Sequence, residues 1–525
     1  MNIGDITMRK KFKTQVLIVG GGVTGTSVLR DLTLRGIHCV LVESKDMNAG
    51  ASGANHGLLH SGARYAVSDP EAALECRIES EILKQTLPQC IENTGGLFVA
   101  VKGDDENFIA DFPHYCSKAK ILAEKISLDH ARELEPYLSG DIIAAYRVND
   151  ASIDPFGLSQ QNIKNATHAG ALVFYHSRIL SFGLVNGNIV SASLENNLTG
   201  EMFNIETDMV VNAAGAWAAQ VGHKAGVNIP MTYSKGTLLV TGQRIAHRVV
   251  NRLRPPGDAD IIVPGGTVSI LGTTSLRISN PDDVCPTVPE TDMIIDEGSK
   301  LIPKLRTERY IRAYAGVRPL VGKSGENGDR VLSRGFSLID HSLDGVGNFM
   351  TITGGKLTTC RLMAEKTSDL VCVHLGISQP CRTRDIPLEH APECRWTTPG
   401  ASPKHWFQKT DSHEVLLCEC EMISTRIIDE LSQSMTDEGQ PFSLVSLGLR
   451  SRLGKGPCQG AFCVFRVTAH LYTKKWLNRT MGLCHMKDFI QSRFKGIRTV
   501  IMGPTLAQIE LQEAVQCGLF NLEQN

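Results

Sequence analysis

Apolar positions near the start of the chain fall in two short runs with an amphipathic stretch between them. Val16 to Val19 is continuously apolar, Gly20-Gly21-Gly22-Val23-Thr24-Gly25 follows, and Val28, Leu29, Leu32 and Leu34 then recur near helix period up to Gly36. A second run, His38 to Val42, ends at Glu43. Strand, glycine-rich turn, helix and strand in that order predict a βαβ unit, with Gly36 closing the helix. Later stretches repeat the strand-to-small-residue pattern. DMVVNAAGAW (Asp208 to Trp217) reads as a strand ending in small residues, and FMTITGGKLTTCRLMAE (Phe349 to Glu365) as a strand, a Gly-Gly turn and a helix start. Past residue 376 the periodicity fades into ISQPCRTRDIPLEHAPECRWTTPGASPKHW, whose Pro and polar content predicts a linker. A helical stretch from Ser424 through Leu431 follows, and the last segments (MKDFIQSRF, LAQIELQEAVQ) predict helices that pack on a neighbour or on the main body.

At 525 residues the chain exceeds one ordinary core, which predicts two or three domains. With 42% hydrophobic against 21% charged residues it is globular. The 54 basic and 55 acidic residues leave a net charge of −1, so no overall field would hold nucleic acid or anionic lipid, and a charged ligand must be met by a local cluster. The polar, basic N-terminus runs straight into QVLIVG without a signal-peptide core, and no segment approaches the roughly 18 uncharged apolar residues of a membrane span. The expectation is a protein that is not secreted and reaches a membrane only peripherally. Fifteen irregularly spaced cysteines then read as reduced thiols, with Cys39, Cys76, Cys116 and Cys372 assigned to packing.

In the βαβ unit each residue type has a task. Gly20 permits the tight turn, Gly22 lets a pyrophosphate approach the backbone, Gly25 lets helix and strand pack closely, and Glu43 accepts ribose hydroxyls. NAD and FAD share this unit. The long loop Gly50 to Val67 (GASGANHGLLHSGARYAV), containing Ser52, favours FAD, because the chain must run along the pyrophosphate and then under the ring system. Gly215, Gly354, Gly355, Leu357 and Thr358 complete the expected cofactor-binding set, and Lys356 stands at a helix N-terminus where a reduced flavin accumulates negative charge.

GGGVTG, HSGARYA, NAAGAW, YAGVRPLV, SRGFSLIDH and TITGGKLTT together resemble the FAD-dependent glycerol-3-phosphate dehydrogenase family, within the flavoproteins related to D-amino acid oxidase. The resemblance implies an α/β fold: a Rossmann-like FAD-binding domain (residues 14–376) with an antiparallel-sheet substrate cap near 80–150 and 230–330. It also implies that Arg64, Tyr65, Arg318, Arg334 and Lys356 hold glycerol 3-phosphate while a hydride leaves the carbinol carbon for flavin N5. The hydroxyl proton needs an acceptor. His60 is the expected base, since imidazole titrates near neutrality, and His56 is the other candidate in that loop. The loop type NHGLLHSG also resembles the L-2-hydroxyglutarate group, so a 2-hydroxy-acid dehydrogenase is an alternative; a non-catalytic electron-transfer subunit is another.

LLCECEMIS places Cys418 and Cys420 one residue apart, and RLGKGPCQGAFC adds Cys458 and Cys463. Two close thiol pairs suit a soft metal; a gap of one residue is tight around a single zinc and easier around a two-iron cluster. The segment 413–470 resembles the module of bacterioferritin-associated ferredoxin found in the tails of the anaerobic branch of the dehydrogenase family, which implies a 2Fe-2S cluster. The second pair departs from the stand-alone ferredoxin, which leaves two residues between its cysteines where this chain leaves four. The expected order is therefore the flavin domain, a linker (377–412), the iron-sulfur module and a C-terminal helical extension (471–525). The full-length likeness implies two partners in one complex, a separate flavin subunit and a membrane-attached iron-sulfur subunit, with a quinone reached indirectly at the cytoplasmic face of the inner membrane. GLRSRLGKG is declined as a phosphate loop, because its glycines are too far apart and Gly456 follows the lysine; Arg450, Arg452 and Lys455 are expected in a solvated loop, with a basic approach to the cluster for an acidic partner surface as the alternative.

Overall fold

The structure, a computed structural model, describes residues 10–321, 335–388, 397, 399–408, 414–440, 442–478 and 480–520. The leading unit forms as its pattern predicts: β1 (Lys10–Val19), α1 (Val23–Leu34) and β2 (Cys39–Val42), with Gly36 at φ 80°. β1 starts well before its apolar run because Lys10 to Thr14 pair in parallel with Phe203 to Thr207. Leu17 and Ile18 point to opposite faces of the sheet and enter different cores, one with Val40, Phe182 and Phe349, the other with Val28, Leu32 and Met363.

This first sheet has eight strands. Its main path runs Ser177–Val185, Asn188–Asn196, Met202–Asn212, β1, β2, Leu172–Phe174, and Phe349–Gly354 joins beside the C-terminal end of Met202–Asn212. The parallel pairs lie at its centre, so the glycine loop after β1, the small residues after Asn212 and the turn after Gly354 all emerge at the same sheet edge. Helices Pro155–His168 and Cys360–Leu375 pack against α1.

A nine-stranded second sheet forms the cap. Met231–Thr241 and Tyr310–Val321 make its long antiparallel pair, and Gly96–Val101 and Ile142–Val148 extend it. Its strands come from two chain segments, 96–148 and 231–321. Leu97, Leu239, Ile262, Leu271 and Ile294 form its core.

The C-terminal module consists of a short hairpin (Leu416–Cys418 with Ile423–Ser424) and helices Thr425–Asp437, Leu444–Arg450, Cys463–Thr473 and Met481–Phe494. Its core does not stop at residue 470: Met486, Phe489 and Ile490 pack with Ile428, Leu447 and Val467. The chain then returns to the cap, where Gly496 O accepts from Ala313 N at 2.7 Å and Val500 enters the cap core. The start of the expected linker is also packed, with Leu388 buried and its N–H donated to Thr86 O at 2.8 Å.

One expectation is corrected. Arg450, Arg452 and Lys455 do not form a solvated loop; they key the module onto the flavin body. Arg450 pairs with Asp46 at 2.9 Å and lies over the Tyr175 ring, Arg452 pairs with Glu421 at 2.6 Å and reaches Asp154 at 3.7 Å, and Lys455 Nζ sits 4.1 Å from the Phe156 ring centre. Burial lowers the Lys455 pKa to about 8. Among the described residues no helix is long and apolar enough to cross a membrane.

Candidate active site and thiol module

The three loops at the end of the first sheet open onto one cavity of about 730 Å³ that continues beneath the cap. At its dinucleotide end the backbone leaves no room for larger residues. A Cβ at Gly20 would lie 2.5 Å from Ala213 O, and one at Gly25 would lie 1.9 Å from Gly20 O. α1 has Gly22 at its N-cap, no side-chain cap and no acid in its first turn, so its free amides and positive dipole end face any bound anion. Ser52 Oγ accepts from Val23 N at 3.0 Å, which places this loop against the helix start. Glu43 is fixed at the tip of β2 by Gly21 N at 2.7 Å and Lys45 N at 2.8 Å, and its carboxylate keeps lone pairs for a ribose. Gly215, Gly354, Gly355 and Leu357 line the same cavity. Gly25 and Thr358 do not: Gly25 is the contact behind Gly20, and the buried Thr358 accepts from His60 N at 3.0 Å through Oγ1. This cradle fits an FAD.

The loop carrying both histidines is fastened at its turn. Buried Asp150 accepts from Ser61 N at 2.7 Å, and burial raises its pKa. Gly62 has φ 96°, and a Cβ there would meet Ala73 O at 2.2 Å, so HSGARY must turn on a glycine. His60, Arg64, Tyr65, Arg318 and Lys356 all line the cavity, as does His56; Arg334 lies outside the described residues. The His60 ring meets the Tyr65 ring edge-on at 5.2 Å, and Lys356 Nζ lies 4.6 Å from the centre of the same Tyr65 ring. Arg318 is on the long cap strand opposite Ser234. It donates through Nη1 to Thr274 O at 3.1 Å and through Nη2 to Thr273 Oγ1, and its guanidinium lies directly over Gly236. His56 is neutral here: burial, then the charges of Arg318 and Arg64, pull its pKa down to about 3.

Sequence reading missed Asp260. Its carboxylate is fully buried and accepts from Arg64 Nη2 at 3.0 Å, Arg254 Nε at 2.8 Å and Gly257 N at 2.5 Å, so it aims Arg64. RPPGDAD signals only a turn, and nothing in it marks an arginine nearly 200 positions away. Trp217 Nε1 also donates to Asp282 Oδ1 at 3.0 Å, a bond from the first domain to the cap beside the cavity.

In the module the four late thiols meet in two pairs, Cys418 with Cys463 and Cys420 with Cys458. Backbone amides of Glu421 and Gly454 face the Cys418 sulfur, and those of Gly460, Ala461 and Phe462 face Cys458. The hydrogen bond from Cys420, reinforced by those amides, lowers the Cys458 pKa to about 6, and the bond from Cys463 lowers that of Cys418. Donating those bonds pushes Cys420 and Cys463 up. Among the described residues no three ligating side chains form a single-ion site. The remote thiols behave as packing groups: Cys76 and Cys116 are buried and pushed up to about 12.

Comparison with known proteins agrees with this geometry. Residues 15–370 match the family of FAD dependent oxidoreductases (DAO). The A subunit of the anaerobic glycerol-3-phosphate dehydrogenase of Escherichia coli (strain K12) is 38% identical over 98% of both chains. Among solved structures, the glycerol-3-phosphate dehydrogenase from Bacillus halodurans complexed with FAD superposes with a TM-score of 0.63 at 19% identity, covering 94% of this chain and 96% of that one. Glycine oxidase from Geobacillus kaustophilus gives 0.57 at 19% identity over 72% of this chain and 99% of its own. The chain therefore belongs to the FAD dependent oxidoreductase family, as a homologue of the A subunits of anaerobic glycerol-3-phosphate dehydrogenases.

Proposed function

We propose that the protein oxidises sn-glycerol 3-phosphate to dihydroxyacetone phosphate and sends the electrons through a 2Fe-2S cluster to partner subunits and a quinone. The observation that carries this reading is the convergence of Arg64, Arg318 and Lys356 on one cavity that also contains the dinucleotide cradle. FAD bound in that cradle supplies the two-electron acceptor for the carbinol hydrogen. Arg64 and Arg318 hold the phosphate with planar, fixed guanidiniums, Tyr65 and Lys356 bound the carbinol end, and His60 accepts the hydroxyl proton as the carbonyl forms. Arg334, on the motif SRGFSLIDH, is assigned to the same anion site.

Cys418, Cys420, Cys458 and Cys463 hold the cluster in this reading. Contact in two pairs supports two irons over one zinc, and amides facing the sulfurs stabilise an anionic centre. When bound, the cluster supplies a one-electron carrier, which a two-electron dehydrogenase needs to feed a quinone. Contact with the membrane would come through the partner subunits.

Two results test this directly. Substrate-dependent dye reduction by the FAD-loaded chain should occur with glycerol 3-phosphate and not with 2-hydroxyglutarate; the reverse preference would transfer the site to the hydroxy-acid group. His60→Ala should slow flavin reduction by roughly 10²-fold or more with bound FAD unchanged, and an unchanged rate would remove His60 from the mechanism.

A further inference from the structure

The cap wall beside Arg318 carries hydroxyls that the roles above leave unused. Ser234 stands directly opposite Arg318 across the long antiparallel pair, so the two side chains share one face of the sheet, and both residues line the cavity. Ser275 reaches the same face, with its Oγ 3.0 Å from Ser234 Oγ. The two residues before it, Thr273 and Thr274, hold the Arg318 guanidinium.

The two serines are not equivalent. Ser234 is buried, and among the described residues its hydroxyl meets one partner, Ser275 Oγ. Ser275 is half-buried and lines the cavity. A buried hydroxyl hydrogen without an acceptor is costly, so Ser234 donates and Ser275 accepts. Ser275 then keeps its own hydrogen for an occupant of the cavity. A planar guanidinium meets two oxygens of an anion at once. That suffices for a carboxylate, whereas a phosphate monoester has a third terminal oxygen out of the shared plane, and a neutral O–H beside Arg318 suits it.

Resting on the proposed function, we infer that Ser275, oriented by Ser234, is a specificity-determining residue whose hydroxyl donates to the third terminal oxygen of a phosphate monoester held by Arg318, and so favours that anion over a carboxylate.

The test measures two constants on the FAD-loaded full chain: the KM for glycerol 3-phosphate, and the constant with which 3,4-dihydroxybutanoate, which keeps both hydroxyls but ends in a carboxylate, competes with it. Ser275→Ala should raise the KM by about 10- to 100-fold, the loss of a hydrogen bond to a charged group, and shift the competition constant by less than about threefold. Ser275→Thr keeps the hydroxyl and should hold the KM within about threefold of wild type. Neither constant depends on how much of the protein is folded. An unchanged KM in Ser275→Ala, or equal weakening of both anions, overturns this inference alone. A wild-type flavin that glycerol 3-phosphate does not reduce overturns it together with the proposed function.

Discussion

Arg318→Ala is expected to raise the KM for glycerol 3-phosphate by about 30- to 5,000-fold while FAD content stays at the wild-type level. The range follows from the roughly 2–5 kcal/mol lost when one member of a desolvated, hydrogen-bonded charge pair is truncated. Arg318 is suited to such a loss because its fork is pre-set. The Thr274 carbonyl and the Thr273 hydroxyl hold its two terminal nitrogens, and the absence of a side chain at Gly236 gives the guanidinium its place. Arg318→Lys keeps the charge but cannot reproduce the fork, so it should recover only part of the affinity. Titration of flavin bleaching against substrate concentration reads the effect. A KM within threefold of wild type in Arg318→Ala would place the phosphate elsewhere in the cavity.

The second large effect is expected at the seam between module and body. Glu421 directly follows Cys420, and its fully buried carboxylate accepts from Arg452 Nε at 2.6 Å and from Thr267 Oγ1 of the cap at 3.0 Å. Glu421→Ala removes the nearest carboxylate from the buried Arg452 and leaves Asp154 at 3.7 Å, a loss of about 3–5 kcal/mol for a broken buried pair. The damage should be local. Iron and labile sulfide should fall well below the about two of each per chain that a 2Fe-2S centre contains, while FAD content and dye reduction by glycerol 3-phosphate persist. The ion pair between Glu419 and Arg466 is the control. It lies one residue from Cys420 but is largely exposed, so Arg466→Ala should cost about 1 kcal/mol or less and leave the iron in place. Equal iron loss in both variants would mean that the seam does not hold the thiols.

These two sites differ in how far the sequence announced them. The βαβ unit was legible almost to its ends, because glycine spacing, helix period and the terminal acid are local signals; only the polar start of β1 was hidden, since pairing with Phe203 to Thr207 decides it. The cap, by contrast, was legible only through resemblance, its strands being contributed by two distant segments. Arg64, Arg318 and Lys356 stood out because glycine-rich or turn-forming motifs surround them. Asp260, which aims Arg64, did not, since its importance lies in a partner far along the chain. Arg450 and Arg452 misled for the same reason. Charge in a glycine-rich loop ordinarily means solvent; Asp46 and Asp154 become visible as partners only when the module docks, and Glu421 only when the module's hairpin folds against Arg452. The two thiol pairs were readable from spacing, but not that they cross between the hairpin and the 458–463 segment.

The most direct test of the central claim is an anaerobic visible spectrum of the purified full chain, recorded before and after adding glycerol 3-phosphate. Flavin bands with iron-sulfur shoulders, both bleaching on addition, are the predicted result, and would place cofactors and substrate in one molecule. Flavin bands that the substrate leaves unmoved would contradict it and make this chain an electron-transfer subunit whose own flavin site is idle.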